Sequence, residues 1–433
     1  MNTHPDTAAW SIDAHRGLVE SLVAVVDDVE APVQECRSLV LARDVTAALP
    51  LPPFTNSAMD GFALASADVA DVEAPVTLSV TGDIAAGDGT DHRLEPGCAM
   101  RIMTGARMPQ GADTVVKVEW TDHPAGVADP PSHVRLDRFP DPGANVRHEG
   151  EVCAVGDTVL RAGQVLDAAA VSAAVAAGCT RVRVRPHPRV LIVTTGSELV
   201  EPGEKVRPGM IPDSNGPLLR GLVEEAGGLV IGHLRCPDDP LLLSSLLAAH
   251  DRADLVITAG GISQGAYEVV RRALADSVRF HHVAQQPGGP QGAGTVDVGG
   301  QATPVVCLPG NPVSVLVSFA VYVRGLIDIL AGRTTGDGAS RPPALPGVAR
   351  VPWRTPAGRT QFIPVRVVRF DEDGRLLVEP SHRLGSGSHA VVGLARADGL
   401  AMVDADIDEV DAGMALPIIP LERLRRRRHT VEY

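Results

Sequence analysis

The stretch Asp254–Gly265, DLVITAGGISQG, does most to limit how this chain can fold. An aliphatic run this short, closed by turn residues, reads as a central parallel strand buried on both faces. The bare Gly260-Gly261 corner lets an anionic ligand come close to backbone N–H groups, since no Cβ stands in the way. Pro304–Leu308 ends the same way, in PGNPVS, and Arg189–Thr195 (RVLIVTT) ends in GSE. Strands that each end in a small, polar, glycine-bearing loop predict one crevice at the carboxyl edge of a sheet, where open α/β sheets bind ligands. Loops of this chemistry suit a small molecule that carries phosphate.

The chain has 433 residues, more than one ordinary core can organise, so about two to four domains are expected. Aromatic residues make up only 3%, which leaves Val, Leu, Ala and Ile to build the cores. A net charge of −14 argues against general nucleic-acid binding and requires any anion site to be a local patch. The six cysteines lie far apart with no C-x-x-C, so neither a zinc site nor a disulfide framework is indicated and a reducing cytoplasm is the expected setting. The start of the chain lacks the basic and apolar regions of a signal peptide. The longest apolar run, Val313–Leu330, is interrupted by Arg324 and Asp328 and reads as a buried helix rather than a membrane span.

Taken in order, Ser11–Val26 carries Ile12, Leu18, Val19, Leu22 and Val26 at helical spacing. After a mixed segment, Pro50, Pro52 and Pro53 lead into a polar loop, 54–63, around Asp60. Short β patterns broken by Gly and Pro fill 76–149 and predict a small β domain. Ala168–Gly178 reads as a helix closed by glycine. From Arg189 to Leu330 strand, loop and helix alternate, with helices expected at 218–226, 240–250 and 267–275, which predicts a doubly wound α/β domain. A Gly/Pro/Ser linker then leads to β-rich sequence expected to form a compact barrel, and Arg423–His429 is a basic, solvated tail.

FTNSAMDGFAL at 54–64, RIMTGA at 101–106, TGSEL at 195–199, PDSN at 212–215, AGGIS at 259–263 and LPGNPVS at 308–314 occur in this order. Together they resemble the molybdopterin molybdenumtransferases, the molybdenum-insertion enzymes to which the C-terminal domain of gephyrin is related. The resemblance implies an α/β plus β, multi-domain chain. Its parts would be an elongated linker domain (1–52 and 150–187), a small β domain (53–149), a molybdopterin-binding α/β domain (188–335) and a C-terminal β-barrel (340–433). It further implies a cytoplasmic homodimer and a Mg²⁺-dependent reaction that takes adenylylated molybdopterin and molybdate and releases AMP. Implied protein partners are the molybdopterin adenylyltransferase and molybdoenzyme maturation proteins. The apolar faces of 11–26 and 160–178 are expected to supply surface for the second copy.

On this pattern Asp60, Thr104, Glu198 and Glu268 are the catalytic candidates, with Asp60 and Glu268 as metal ligands. Gly260, Gly261, Ser263, Asp213, Asn215, Asp238, Asp239, Pro309, Gly310, Asn311 and Ser314 are candidates for substrate contact. An Asp before a helix also has a plainer role as a cap, which applies to Asp238 and Asp239. Arg359 in GRTQF and Ser388 in GSGSH match positions that resemble the family's molybdate pocket, and an arginine fork suits a tetrahedral oxyanion. The chain departs from the pattern where two lysines are usual: it reads Gln286-Pro287-Gly288-Gly289-Pro290 and contains only Lys117 and Lys205. Val152 stands where an acid is usual, Glu268 replaces a shorter acid, and Pro364 stands where an arginine is common. Two readings follow: a molybdenum insertase with a variant pocket, or a carrier that holds molybdopterin without turnover.

Overall fold

The computed structural model describes residues 9–124, 126, 129–263, 268–334, 341–382 and 391–424. The chain divides into two compact units: residues 1–29 with 185–433, and residues 30–184.

The first unit is built on a six-stranded sheet in the order Leu229–Cys236, Arg189–Thr195, Leu255–Ala259, Gln301–Leu308, Pro290–Val298, Val278–His282. The first four strands are parallel and the last two run antiparallel. Successive residues of the central strands serve opposite cores. Val190, Ile192, Leu255, Ile257 and Val306 face one side, and Leu191, Val193, Val256, Val305 and Cys307 face the other. Both faces are covered by helices, and this is why the strands read as continuous aliphatic runs instead of alternating.

Helices Asn215–Glu225 and Pro312–Ser318 lie over the first face. Helices Pro240–Ala248 and Val269–Ala273 lie over the second. The apolar run after Pro312 continues through a π-turn at Phe319–Val323 to Leu330, and 83% of it is buried, so it is a core helix. The N-terminal helix is Ile12–Glu20, shorter than its periodicity predicts: the Ser21 hydroxyl donates to the Leu18 carbonyl, and the chain then leaves to bond Val26 N–H to Leu330 O. Val19 of this helix is fully buried, and Ile12, Leu18, Leu22, Val23 and Val26 pack against the same core. Much of its stripe therefore packs within its own chain, while Val25 stays exposed.

Leu345–Ala349, Ala415–Pro420, Gly399–Val403, Thr360–Phe370 and Leu376–Pro380 pair in succession, and the last pairs back to the first, closing a five-stranded barrel. Phe362, Leu400 and Ile419 of the barrel join the core of the α/β layer. The short strand Gln285-Gln286 pairs in parallel with Thr360-Gln361 and so ties a loop of the α/β layer to the barrel.

In the second unit a five-stranded sheet runs Thr114–Lys117, Gly61–Leu64, Cys98–Ile102, Val76–Ile84, His133–Leu136, with an apolar cluster on each side. Helix Ala168–Ala176, capped by the Asp167 carboxylate on Ala170 N–H, packs on a separate cluster with Leu41, Leu160 and Leu166.

Gly61 is the tightest point of the five-stranded sheet, because a Cβ built there would lie 2.1 Å from the Val116 carbonyl oxygen on the neighbouring strand. Gly61→Ala must push two paired strands apart, and is expected to destabilise the 30–184 unit by about 1–3 kcal/mol in urea unfolding. A midpoint equal to that of the parent would show that the strands do not approach so closely.

Candidate functional site

The sheet order places a reversal between Arg189–Thr195 and Leu255–Ala259: the chain leaves the first strand to one side and the second to the other. Ligand crevices of open α/β sheets form at such reversals. Here the ends of three parallel strands line a single pocket of about 400 Å³. Thr195, Gly196 and Glu198 come from one, Gly260, Gly261 and Ser263 from the second, and Gly310, Asn311 and Pro312 from the third. Ser214, Asn215, Asp238 and Glu268 complete the polar wall.

Backbone conformation explains the glycines. Gly260 (φ +98°) and Gly261 (φ +66°) are left-handed, and a Cβ would meet the Thr195 carbonyl oxygen at 2.7 Å and the Thr195 hydroxyl at 2.9 Å respectively. The corner can close this tightly only without side chains. Glu268 accepts from Ser263 N–H at 2.8 Å, which holds the loop after the corner. Asp238 and Ser197 clamp each other, the Asp238 N–H donating to Ser197 Oγ at 3.0 Å and Ser197 N–H to Asp238 Oδ2 at 3.2 Å. Asp239 does different work: its carboxylate caps Pro240–Ala248 by accepting from Leu241 and Leu242 N–H, and it does not line the pocket. Pro309 and Ser314 are buried beside the pocket loop and are also absent from its wall.

Asp213 sits behind the wall, 2% exposed. It accepts from the Thr194 hydroxyl at 2.6 Å and from the N–H groups of Asn215 and Gly216 at 3.0 Å, with His233 Nε2 3.3 Å away. Burial works against its charge, but the hydrogen bonds from His233, Thr194 and Gly216 outweigh it and bring the carboxyl down to about 2. Asn215 in turn donates Nδ2–H to the Gly310 carbonyl at 2.7 Å, which joins two of the pocket loops. That bond assigns the amide orientation, since a carbonyl can only accept. The Asn215 Oδ1 and the Thr195 hydroxyl are left buried without a partner among the described residues. Buried polar atoms are nearly always satisfied, so these are groups that a ligand or water would complete.

The oxyanion candidates gather elsewhere in the same unit. Gln286 pairs with Gln361, and Arg359 is exposed one residue before that strand. A Cβ on Gly288 (φ +88°) would lie 3.0 Å from Ser318 Oγ and 3.5 Å from Ser314 Cβ, so Ser314 backs the turn rather than projecting from it. At Gly289 a Cβ would fall 2.4 Å from His282 Cε1 and 2.5 Å from Nε2. The imidazole of His282 thus occupies the space a side chain at 289 would need. Ser388 lies outside the described residues.

Asp60 belongs to the second unit, where it is exposed on the loop before Gly61–Leu64. Its Oδ1 accepts from both the N–H and the hydroxyl of Thr104 at 2.7 Å. These two bonds, the hydroxyl first, hold its carboxyl below the usual range and keep it ionised. The expected metal pair, Asp60 and Glu268, is divided between the two units. Among the described residues no group of three or more His, Cys, Asp or Glu side chains could hold a metal. Val152 is 77% exposed, so the position where an acid is usual faces solvent.

Sequence reasoning passed over Thr195, Gly196 and Ser214, although TGSEL and PDSN contain them. It also missed His233, for which no motif exists: it is one residue within an edge strand, and only the space left by Gly216 marks it.

Comparison with known proteins finds the same order of parts. Residues 10–178 match the MoeA N-terminal region (domain I and II), 191–328 a probable molybdopterin binding domain, and 346–421 the MoeA C-terminal region (domain IV). The chain is 38% identical to molybdopterin molybdenumtransferase 2 of Mycobacterium tuberculosis, over 94% of its own length and 98% of that protein's. It is 32% identical to molybdopterin molybdenumtransferase 1 of the same species, over 93% and 97%. The solved molybdopterin biosynthesis moea protein from Pyrococcus horikosii superposes with a TM-score of 0.77 at 25% identity, covering 95% of this chain and 99% of that one.

The depressed carboxyl of Asp213 makes a prediction with a definite sign. Its folded value lies below its unfolded one, so its contribution is present above about pH 4 and is lost as pH falls through about 2. Asp213→Asn is expected to cost about 2–3 kcal/mol at neutral pH, with the gap to the parent narrowing across that acid window. Urea unfolding at neutral and acid pH reads both; a gap independent of pH would mean that the charge is not what Asp213 supplies.

Proposed function

Because the chain belongs to the molybdopterin molybdenumtransferase family, we propose that it acts in molybdenum cofactor biosynthesis, inserting molybdenum from molybdate into adenylylated molybdopterin with release of AMP. The observation that carries this reading is the pocket at the sheet reversal, built from the loop motifs shared with the family and holding two unsatisfied polar atoms.

The charge of that pocket says what its ligand must bring. Its described wall carries Glu198, Asp238 and Glu268 and no lysine, arginine or histidine. A phosphate entering it alone would meet no side-chain charge except negative ones. Hard oxygen donors of this kind suit Mg²⁺, which is usually held by one or two carboxylates together with substrate phosphates. When bound, Mg²⁺ would neutralise charge on the phosphoric anhydride. The chain's own residues do the rest: the glycine corner lets the ligand reach the backbone, and Glu268 and Asp238 hold their loops in place. Asn215 Oδ1 accepts only, so it favours a ligand that presents an N–H or O–H there. Asp60, ionised and with Oδ2 unpartnered among the described residues, is suited to contact a metal ion or a water.

Molybdate is assigned to the Gln286–Arg359 region, where the exposed Arg359 directly precedes the strand that pairs with half-buried Gln286. The family's lysines are replaced there, so Arg359 carries the charge that an oxyanion needs. His282 occupies the space at Gly289, so a lysine at 286 alone is the fair test of a restored cation. A carrier without turnover is the weaker reading, since the relatives matched over nearly their whole length are named as transferases. A cytoplasmic homodimer and hand-over from a molybdopterin adenylyltransferase belong to the same proposal; the exposed Val165 and Val175 offer a second copy some of the apolar surface that Ile12–Glu20 does not.

Adenylylated molybdopterin, molybdate and Mg²⁺ should give AMP in step with molybdenum retained on the pterin. Tight pterin binding with neither product would support the carrier. Asp60→Asn is expected to abolish AMP release while pterin affinity stays within a few-fold, as for a group that acts on the transition state. Arg359→Ala should weaken molybdate binding about ten- to a hundredfold, the equivalent of about 1.5–3 kcal/mol for one charge-assisted contact, and Gln286→Lys should tighten it. Calorimetric titration of molybdate decides this: an Arg359→Ala protein that binds like its parent would put the oxyanion elsewhere.

A further inference from the structure

His233 lies on the edge strand Leu229–Cys236, has no place in the motifs, and does not line the pocket. Its Nε2 is nevertheless 2.9 Å from the Thr194 hydroxyl and 3.3 Å from Asp213 Oδ2. The hydroxyl has one proton, and at 2.6 Å it is given to Asp213 Oδ2. Thr194 can therefore only accept from His233, which assigns the hydrogen to Nε2. Asp213 then receives the Thr194 hydroxyl and the N–H groups of Asn215 and Gly216, with the His233 N–H facing the same carboxylate. Three of its roughly four acceptor positions are taken from inside the protein and it is 2% exposed, so it holds structure rather than facing a substrate.

Space makes the same point independently. Gly216 stands inside the helix Asn215–Glu225 without a left-handed backbone, so conformation does not call for glycine. A Cβ there would lie 2.1 Å from His233 Cε1 and 2.6 Å from Nε2. The missing side chain is the space that the imidazole occupies.

We propose that His233 is a positioning residue of the pocket, acting through Asp213 on Asn215 and through Asn215 on the loop that contains Gly310. The connection is continuous. His233 and Thr194 orient the Asp213 carboxylate, which holds the first amides of the Asn215–Glu225 helix. Asn215 Nδ2 grips the Gly310 carbonyl at 2.7 Å, and Gly260 N–H bonds Leu308 O at 3.1 Å, at the end of the strand that leads into that loop. One imidazole at the sheet edge thus sets where Asn215 Oδ1 and the glycine corner stand relative to each other. The substrate side of this inference rests on the proposed function; its mechanical side does not.

The test uses His233→Ala, His233→Gln, Gly216→Ala and Asp213→Asn, with the double variant His233→Ala/Asp213→Asn, in the full chain. Two quantities are read: the KM and kcat for adenylylated molybdopterin, and amide hydrogen exchange at 215–216 and 308–312. His233→Ala is expected to raise KM about tenfold with kcat changed less than about threefold, and to speed exchange in both segments. His233→Gln, which keeps an N–H donor, should recover most of the KM. Gly216→Ala, which drives a methyl into the ring, should reproduce His233→Ala. Because the residues act in series, the double variant should be no worse than Asp213→Asn alone. Additive losses, or a folded His233→Ala protein with unchanged exchange at 215–216, would overturn the proposal. If His233→Ala does not fold, unchanged exchange in Gly216→Ala overturns it equally. A parent protein that turns over no pterin substrate would remove the functional reading, while the exchange data would still decide the role of His233.

Discussion

The structure depends on one constraint: the parallel strands of the first unit are apolar on both faces and must be covered on both. Ile192 and Ile257 look into one core while Leu191 and Val256 look into the other. Helices therefore have to cross above and below the sheet, and every connection that returns to a strand start leaves a polar loop at the carboxyl edge. Where the chain reverses its direction of winding, between Arg189–Thr195 and Leu255–Ala259, those loops diverge and a crevice opens. The pocket is thus a consequence of burial. Chemistry enters only in what the loops carry: glycine at 260 and 261, amide at 215, carboxylate at 198, 238 and 268.

Charge separates the sites of the first unit. The pocket at the sheet reversal is lined by carboxylates in a protein whose net charge is already −14. Cations in this chain are almost all arginines, and many are already engaged, as Arg350 and Arg366 are with the same Glu379. Arg359 is exposed and directly precedes the strand that pairs with Gln285-Gln286. An acidic pocket and a cationic loop in one unit suit a substrate that brings two different anions, one able to share a divalent cation and one better matched to a guanidinium fork.

Much of this was legible in the sequence, for identifiable reasons. The doubly wound domain showed itself because buried strands leave long aliphatic runs, and the barrel because β-rich sequence follows a Gly/Pro/Ser linker. Pocket loops were legible because glycine at a strand end is a local signal. Helix ends were read less well: Ile12–Glu20 stops early because the Ser21 hydroxyl and the pull of Val26 toward Leu330 are tertiary or capping effects that no periodicity records. The two aspartates at 238 and 239 could not be told apart in sequence. Only the fold shows one clamped to Ser197 at the pocket and the other capping a helix.

What remained hidden is a use of glycine that is neither turn nor corner. Gly216, Gly232 and Gly289 have no left-handed backbone, and a Cβ on each would lie within 2.6 Å of the imidazole of His233, His250 or His282. In each case glycine is required by a side chain distant in sequence, and its own neighbours give no hint of it. Gly289 is the telling instance. Sequence comparison reads it as a lost lysine, a simple subtraction of charge. The structure adds a second fact, the imidazole of His282 beside the position, so a side chain at 289 requires that ring to move. A departure from a motif is therefore half of a statement, and the other half is whatever occupies the room beside it.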